Sequence, residues 1–270
     1  MTWEAAALLV LGSALLVGFG WYERTQPTSR MLALVATLAA LAALGRIAFA
    51  PLPNVKPTTD IVLIAGFALG AAPGFVVGAV AALASNLVFG QGPWTPWQMV
   101  AWGLCGVLGA VLGRMTGRDL GRVPLAVACG GAGLMFGAIM DASVSVTYGA
   151  GQQTLGQYVA ISATSLPFNL AHAVGNVAFC LAFGPVLVRA LMRYRDRLEV
   201  RWTDAEPAAA PVTAVIPPLG LLLAAVVAAT ALVPATPAQA AGSGRAASAG
   251  WLARAQNPDG GWGPAPGART

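Results

Sequence analysis

The chain has 270 residues, of which 57% are hydrophobic and 9% are charged, and its mean hydropathy is +0.71. A soluble domain carries about 25% charged residues, so the composition excludes that class and indicates a multi-pass membrane protein. The net charge of +5 comes almost wholly from arginines in short connectors between apolar runs. This placement is typical of membrane orientation signals, and we expect no nucleic-acid binding.

The apolar runs predict an all-α polytopic fold, because most of them approach the roughly 20 residues that a membrane-spanning helix needs. A signal peptide is the alternative for the first run, but Glu4 replaces a basic start and no small-residue cleavage site follows, which favours a retained helix. We expect Pro73-Gly74 to separate two helices, the first of them short. The predicted runs are residues 3–20, 31–50, 60–72, 74–89, 97–113, 123–147, about 160–192, and 214–233.

These runs divide the chain into a six-span core with one extra helix at each end. Residues 1–29 supply the extra N-terminal helix and a cytoplasmic loop, and residues 30–195 form the core. Residues 196–213 are a cytoplasmic linker, 214–233 a C-terminal transmembrane helix, and 234–270 an extracytoplasmic tail. Arginines cluster at 24–30, 114–122 and 189–201, which the positive-inside rule places in the cytoplasm. The loops at 51–59, 90–96 and 148–158 then face outward.

One outward loop combines hydrogen-bonding and aromatic groups, between Ser85 and Met99. Its glycines and prolines predict a tight turn, from which the polar and aromatic side chains would face one cavity. The alternative is an interfacial loop with membrane-belt tryptophans. The candidate binding residues from this stretch are Asn86, Gln91, Trp94, Trp97 and Gln98.

Polar residues inside the apolar runs are costly and indicate a second part of the same site. Asn169, His172 and Asn176 are spaced i, i+3 and i+7, so they share one helical face that we expect to point into the bundle. His172 is interpreted as a ligand contact or a bridge between helices, with a metal site as the weaker alternative. Asp141 would pair with His172 or Arg46, bind ligand, or relay protons.

Other chemistry is not indicated by the sequence. There is no phosphate-binding loop and no nucleophile-base-carboxylate arrangement, so we expect no enzyme activity and no cofactor of the chain's own. Cys105, Cys129 and Cys180 lie inside apolar runs without metal-ligand spacing, and they are interpreted as packing residues. If the chain moves a solute uphill, another subunit supplies the energy.

The core resembles the substrate-binding S-components of energy-coupling factor (ECF) transporters. The resemblance rests on the six-span core, on an Ala-x-x-x-Ala pattern in the first core helix, and on the run from Asn54 through Asn86 to Gln98. It implies a subunit of the bacterial cell membrane that captures a vitamin outside and is energised by a transmembrane T-component and two ATPases that use ATP. It also implies that Ala36 and Ala40 meet the T-component.

The C-terminus is similar to one QW-type repeat of the prenyltransferase and squalene-cyclase toroids, carried by Trp251, Gln256 and Asn257-Pro258-Asp259-Gly260-Gly261-Trp262-Gly263. One repeat cannot bury its own core, so either the natural chain continues past Thr270 or this tail is a remnant. In both cases we expect residues 234–270 to be disordered here. Related toroids bind cobalamin outside cells, and this resemblance favours cobalamin or another corrinoid as the ligand.

Two other functions remain open from the sequence. In the first, the chain is a membrane anchor for an extracytoplasmic toroid domain. In the second, it is a proton-coupled secondary carrier that uses Asp141.

The sequence Pro237-Ala238-Gln239-Ala240 follows an apolar run and ends in Ala-x-Ala, which is typical of a cleavage site; cleavage after Ala240 is therefore a hypothesis, and a simple anchor is the alternative. Mass spectrometry of the mature protein checks it, because an intact chain across residue 240 contradicts cleavage.

Overall fold

The computed structural model describes residues 3–148 and 154–199, and this part of the chain is all-α. Six of its seven helices are long and apolar enough to cross a membrane, which confirms the prediction of an all-α polytopic membrane protein. The predicted helix at 214–233 and the tail at 234–270 lie outside the described residues. The helices are α1 (Trp3–Arg24), α2 (Ser29–Ala48), α3 (Thr58–Leu69), α4 (Ala71–Phe89), α5 (Thr95–Met115), α6 (Arg122–Tyr148) and α7 (Leu155–Glu199).

The bundle has two chemically different ends. The loop end contains the connections at 49–57 and 90–94, together with the end of α6 and the start of α7. The arginine end contains the α1–α2 and α5–α6 connections and the last part of α7. Contacts across the bundle fit this assignment, because Arg46 near the end of α2 bonds Asn86 near the end of α4, and Arg122 at the start of α6 bonds Leu181 in α7.

Helix α3 is the short central element of the fold. Its 12 residues span about 18 Å at 1.5 Å each, which is less than a hydrocarbon core of about 30 Å. Every residue from Thr58 to Ala68 is buried, and α3 packs against α2, α4, α5, α6 and α7. Five helices therefore surround α3, and its polar first turn lies inside the protein.

The break after α3 lies at Gly70, three residues before the expected Pro73-Gly74. Gly70 has a φ of +108°, a conformation that glycine adopts at little cost. Pro73 falls in the first turn of α4, where a proline removes no intrahelical hydrogen bond. The proline therefore fits the start of the new helix, and the glycine makes the turn.

Glycines bring the backbones of α3, α4 and α5 into direct contact. A Cβ atom added to Gly66 would lie 1.8 Å from the Gly106 carbonyl oxygen, and one added to Gly109 would lie 1.9 Å from that of Leu63. A Cβ on Gly106 would lie 2.3 Å from backbone atoms of Gly74. Only small residues allow helices in a membrane to approach so closely, so these glycines determine how α3 fits between its neighbours.

An arginine compensates for a proline inside α7. Pro185 has no N–H, so the carbonyl four residues earlier, that of Leu181, lacks its usual helical donor. The Arg122 guanidinium donates to this carbonyl from Nε at 2.8 Å and also from Nη2. Arg122 thereby joins the start of α6 to α7 at the arginine end.

We expect Gly106→Ala to lower the stability of the protein by about 1–3 kcal/mol or more, because the new methyl group meets backbone that cannot move aside. Gly131→Ala is the matched control, since Gly131 lies in helix α6 and has nothing within 4 Å of an added Cβ. Thermal unfolding of the purified protein in detergent measures both. Equal melting temperatures for the two variants would contradict the close packing.

Arg122→Ala is expected to cost about 1–2 kcal/mol, because it leaves the Leu181 carbonyl without a donor. In a Pro185→Ala background the same substitution should cost less, since the introduced alanine supplies a backbone N–H to that carbonyl. A double-mutant cycle measured by thermal unfolding gives the coupling energy. Additive effects would show that Arg122 does not compensate for the proline.

Candidate functional site

A polar cavity of about 180 Å³ lies at the loop end, and we call it the loop-end cavity. Four helices and the α2–α3 loop contribute to its walls, so residues far apart in the chain converge there. It is lined by Arg46, Asn54, Lys56, Gln98, Trp102, Phe136, Gly137, Met140, Asn169 and His172.

Arg46 is the buried cation of this cavity. It lies in the last turn of α2 and is 6% exposed. Its Nη1 donates to Ser85 Oγ and to Asn86 Oδ1, both at 2.7 Å, so these hydrogen-bond partners are neutral side chains of α4. The guanidinium also lies 4.7 Å from the Phe89 ring centroid and 5.0 Å from that of Trp102. Hydrogen bonds and cation–π contacts thus hold the charge without an adjacent carboxylate.

Asn86 connects Arg46 to α5, and its contact with Arg46 decides which of its atoms accepts and which donates. Because arginine is only a donor, Asn86 Oδ1 must accept and its Nδ2 must donate. Nδ2 donates to Gln98 Oε1 at 2.8 Å and to Thr95 Oγ1 at 3.1 Å. The carbonyl oxygen of Gln98 is therefore occupied, and its NH₂ group remains a donor at the loop-end cavity.

An aromatic row lines another part of the cavity, and a threonine contacts both ends of that row. Trp102 stacks on Phe136 with ring centroids 4.4 Å apart, and Phe136 stacks on His172 at 5.5 Å. Thr59, in the first turn of α3, accepts from Trp102 Nε1 at 3.1 Å and lies 2.9 Å from His172 Nε2. The buried start of α3 thus fixes the orientation of both ring systems.

The polar stripe of α7 packs into a glycine stripe of α6. Added Cβ atoms at Gly133 and Gly137 would overlap the side chains of Asn176 and Asn169, at 2.5 and 2.4 Å. Asn169 Nδ2 donates to Asp141 Oδ2 at 3.1 Å. The expected pairing of Asp141 with His172 or Arg46 is absent among the described hydrogen bonds. Asp141 accepts from Asn169 instead, His172 contacts Thr59, and Arg46 bonds Ser85 and Asn86.

The α2–α3 loop contributes one amide, Asn54, and one cation, Lys56, to the cavity. Asn54 Nδ2 donates to the Phe168 carbonyl at 2.8 Å and so ties this loop to α7. Lys56 faces the loop-end cavity, and burial, with a smaller contribution from Arg46, lowers its pKa to about 8. The second cation is therefore held close enough to Arg46 for the two charges to interact.

A buried carboxylate, that of Asp60, lies in the first turn of α3. Asp60 is 0% exposed, and it is not among the residues that line the loop-end cavity. It interacts with the Cys129 thiol, but neither carboxylate oxygen has a partner at hydrogen-bond geometry in the described structure. The sequence predicted an outward-facing loop at 51–59, whereas the structure buries the first turn of α3 from Thr58 onward.

The sequence-predicted site residues fall into three groups in the structure. Gln98, Asn169 and His172 line the loop-end cavity. Asn86 and Asp141 are buried behind it and hold Gln98, Arg46 and Asn169 in place. Gln91, Trp94, Trp97 and Asn176 do not line it.

The last group has other contacts. Gln91 donates to the Leu83 carbonyl and accepts from Thr95, which closes the α4–α5 turn. Trp94 is 36% exposed and Trp97 is partly buried. Asn176 is fully buried and donates to the Cys129 carbonyl at 3.4 Å, toward the middle of α6.

Several lining residues were missed by sequence reasoning. Arg46 carried a usable signal, because it is a single charge near the end of an apolar run and such residues are functional candidates. Lys56 carried another, as the only lysine of the chain. Trp102, Phe136 and Met140 have no such signal, since apolar residues in apolar helices do not indicate which face is inside.

A larger groove of about 700 Å³ lies at the arginine end, between the α5–α6 connection and α7. Aliphatic side chains line it together with Arg118, Asp119, Arg122 and Arg189, and Arg122 is engaged with the Leu181 carbonyl. Amide, imidazole and aromatic side chains lie instead in the smaller loop-end cavity. In residues 3–148 and 154–199, no group of three His, Cys, Asp or Glu side chains is placed to hold a metal ion, and the three cysteines are buried free thiols.

Fold and site together define a polytopic helical membrane protein with an internal polar cavity at one end. Residues 25–196 match the model of a family of unknown function, DUF6580. The chain belongs to this family, and the match covers the helices that form the loop-end cavity. No curated protein and no solved structure matches the chain.

We expect Asn86→Ala to lower the free energy of unfolding by about 1.5–3 kcal/mol. The substitution removes the charge-assisted hydrogen bond that Asn86 accepts from buried Arg46 and the one that Asn86 donates to Gln98. Leu87→Ala is the control, since Leu87 is 79% exposed on the same helix. Thermal unfolding measures both. An Asn86→Ala protein as stable as the Leu87→Ala protein would contradict the role of Asn86 in positioning Arg46.

Proposed function

We propose that this chain is the solute-binding membrane subunit of an ECF-type importer, which captures a small micronutrient outside the cell for uptake driven by ATP hydrolysis in partner subunits. The observation that carries the proposal is the loop-end cavity, where charged, amide and aromatic side chains from four helices converge inside a membrane protein. Buried polar groups are costly in a bilayer. Their convergence on an internal space supports ligand binding more than structural bridging.

The resemblance to S-components supplies the transporter context of this proposal. In that context the loop end faces outward and the arginine end faces the cytoplasm, in agreement with the positive-inside rule. The energy would come from a T-component and two ATPases, because the sequence carries no phosphate-binding loop.

Helix α2 offers a face for the proposed T-component. Ala36 and Ala40 are exposed, one helical turn apart, whereas Ala39 and Ala43 are buried in the bundle. Small exposed residues at this spacing allow a second helix to approach closely. In the part of the chain that the structure describes, the Ala36–Ala40 pair thus remains available to a partner.

Co-purification of the tagged full-length chain from its native membrane tests the proposal. We expect mass spectrometry to identify a T-component, two ATPases and a bound small molecule. Recovery of neither partners nor a small molecule would overturn the importer assignment and favour the anchor for an extracytoplasmic domain.

Ala36→Trp is expected to reduce the recovered T-component by about tenfold or more, because a bulky ring prevents close helix contact and a loss of about 1.4 kcal/mol is tenfold in affinity. Val127→Trp is the control, since Val127 is 64% exposed on helix α6. Quantitative mass spectrometry of the co-purified proteins compares the two. Equal T-component recovery would exclude the Ala36 face as the contact.

A proton-coupled carrier is the second candidate function, and buried Asp60 is the observation that favours it. A carboxylate that is fully buried without a hydrogen-bonded partner is a candidate for reversible protonation in a transport cycle. Solute uptake that stops when a protonophore collapses the proton gradient, and continues without ATPase subunits, would support the carrier over the importer.

A further inference from the structure

We propose that the ligand of the loop-end cavity is a small organic carboxylate, bound through its anionic group by Arg46, Lys56 and the amide of Gln98. This inference rests on the proposed solute-binding function and names the chemical class of the solute. Neither the family match nor the resemblance to S-components specifies the charge of a ligand.

The charge of the cavity is the first argument. Arg46 and Lys56 both line it, and no carboxylate is among the described residues that line it. The described hydrogen bonds of Arg46 go to Ser85 and Asn86, which are neutral. Two cations at a partly desolvated site repel each other, so an anion between them gains more than it would in water.

Lys56 gives independent support for uncompensated positive charge. Burial and, to a smaller extent, the charge of Arg46 lower its pKa to about 8. A neighbouring carboxylate would have the opposite effect. Asp141, the carboxylate closest in the site's hydrogen-bond chain, bonds Asn169 and does not line the cavity.

Hydrogen-bond polarity gives the third argument. Arg46 only donates, so Asn86 must accept through Oδ1 and donate through Nδ2 to Gln98 Oε1. Gln98 is left with its two N–H donors. Arginine, lysine and this amide therefore all offer donors, and a carboxylate offers acceptors only.

The volume of the cavity limits the size of the ligand. About 180 Å³ equals roughly six water molecules at about 30 Å³ each. It is also below the roughly 300 Å³ at which pockets for drug-sized ligands begin. A corrinoid is several times larger, so the cavity of this structure does not accommodate the ligand that the C-terminal resemblance favoured. A carboxylate on a single ring or a short chain fits.

The first test identifies the molecule that co-purifies with the full-length chain from its native membrane, using mass spectrometry with accurate mass and charge assignment. We expect a molecule with a carboxylate, present in wild type and in Arg114→Gln, and reduced at least tenfold in Lys56→Gln. Arg114 is exposed at the arginine end and is the matched charge control. A neutral or cationic molecule, or one retained in Lys56→Gln, overturns the carboxylate proposal while leaving solute binding intact. Recovery of no molecule overturns the carboxylate proposal, and recovery of neither a molecule nor partner subunits also overturns the proposed function.

The second test uses benzoate and its neutral isostere benzamide as probes with the purified full-length chain. We expect benzoate to raise the melting temperature and benzamide to have no comparable effect. The benzoate shift should disappear in Lys56→Gln and persist in Lys56→Arg. This loop residue is chosen because substitution of Arg46 also removes its bonds to α4. An equal effect of the two probes, or none from benzoate, counts against the proposal.

Benzoate affinity should also fall as pH rises above about 8. Lys56 is half protonated in the free protein near that pH, and the bound anion prefers the protonated form. Arg46 from α2 keeps its charge over pH 7–9, and His172 from α7 is a group whose ordinary titration range lies below this window. Gln98, Met140 and Gly137 complete the surroundings from α5 and α6 and do not titrate. A flat affinity between pH 7 and 9 would contradict the role of Lys56.

Discussion

The burial of the Arg46 guanidinium is the constraint on which the loop end depends. A charge that is 6% exposed in an apolar bundle must be hydrogen-bonded, and Ser85 and Asn86 on α4 meet that requirement. Meeting it fixes the distance between α2 and α4 and sets the direction of every later bond in the chain to Gln98. The loop-end cavity lies beside this chain of bonds and is lined by both of its ends, Arg46 and Gln98.

Close backbone packing at glycines positions the helices that carry the cavity residues. Short α3 delivers Thr59 to the aromatic row only because Gly66 and Gly109 let it lie against α5 without intervening side chains. On the other side, Gly133 and Gly137 make room for the polar stripe of α7. The side chains of Asn169 and Asn176 thus lie against glycines, which leave the room that these side chains need. The interior stays densely packed around the small loop-end cavity.

The sequence predicted the class of fold well, because hydrophobic runs report membrane helices directly. Residues such as His172 and Asn176 were also predictable as inward-facing, since their spacing matches one helical face. The break at Gly70 was placed at Pro73, because the sequence does not distinguish a proline that ends a helix from one that begins the next. The burial of Asp60 and the convergence of Arg46, Lys56 and Gln98 depend on contacts between distant helices, which local patterns do not contain.

The bond from Arg122 to the Leu181 carbonyl has a consequence for how this family can vary. Pro185 creates the need for an outside donor, and Arg122 meets it from another helix. In a relative without the proline, the backbone N–H of α7 bonds this carbonyl and the arginine is not needed. In a relative that keeps the proline but lacks the arginine, the carbonyl is left without a donor in apolar surroundings. The two positions should therefore change together among relatives, and a proline without its arginine should coincide with a different donor nearby.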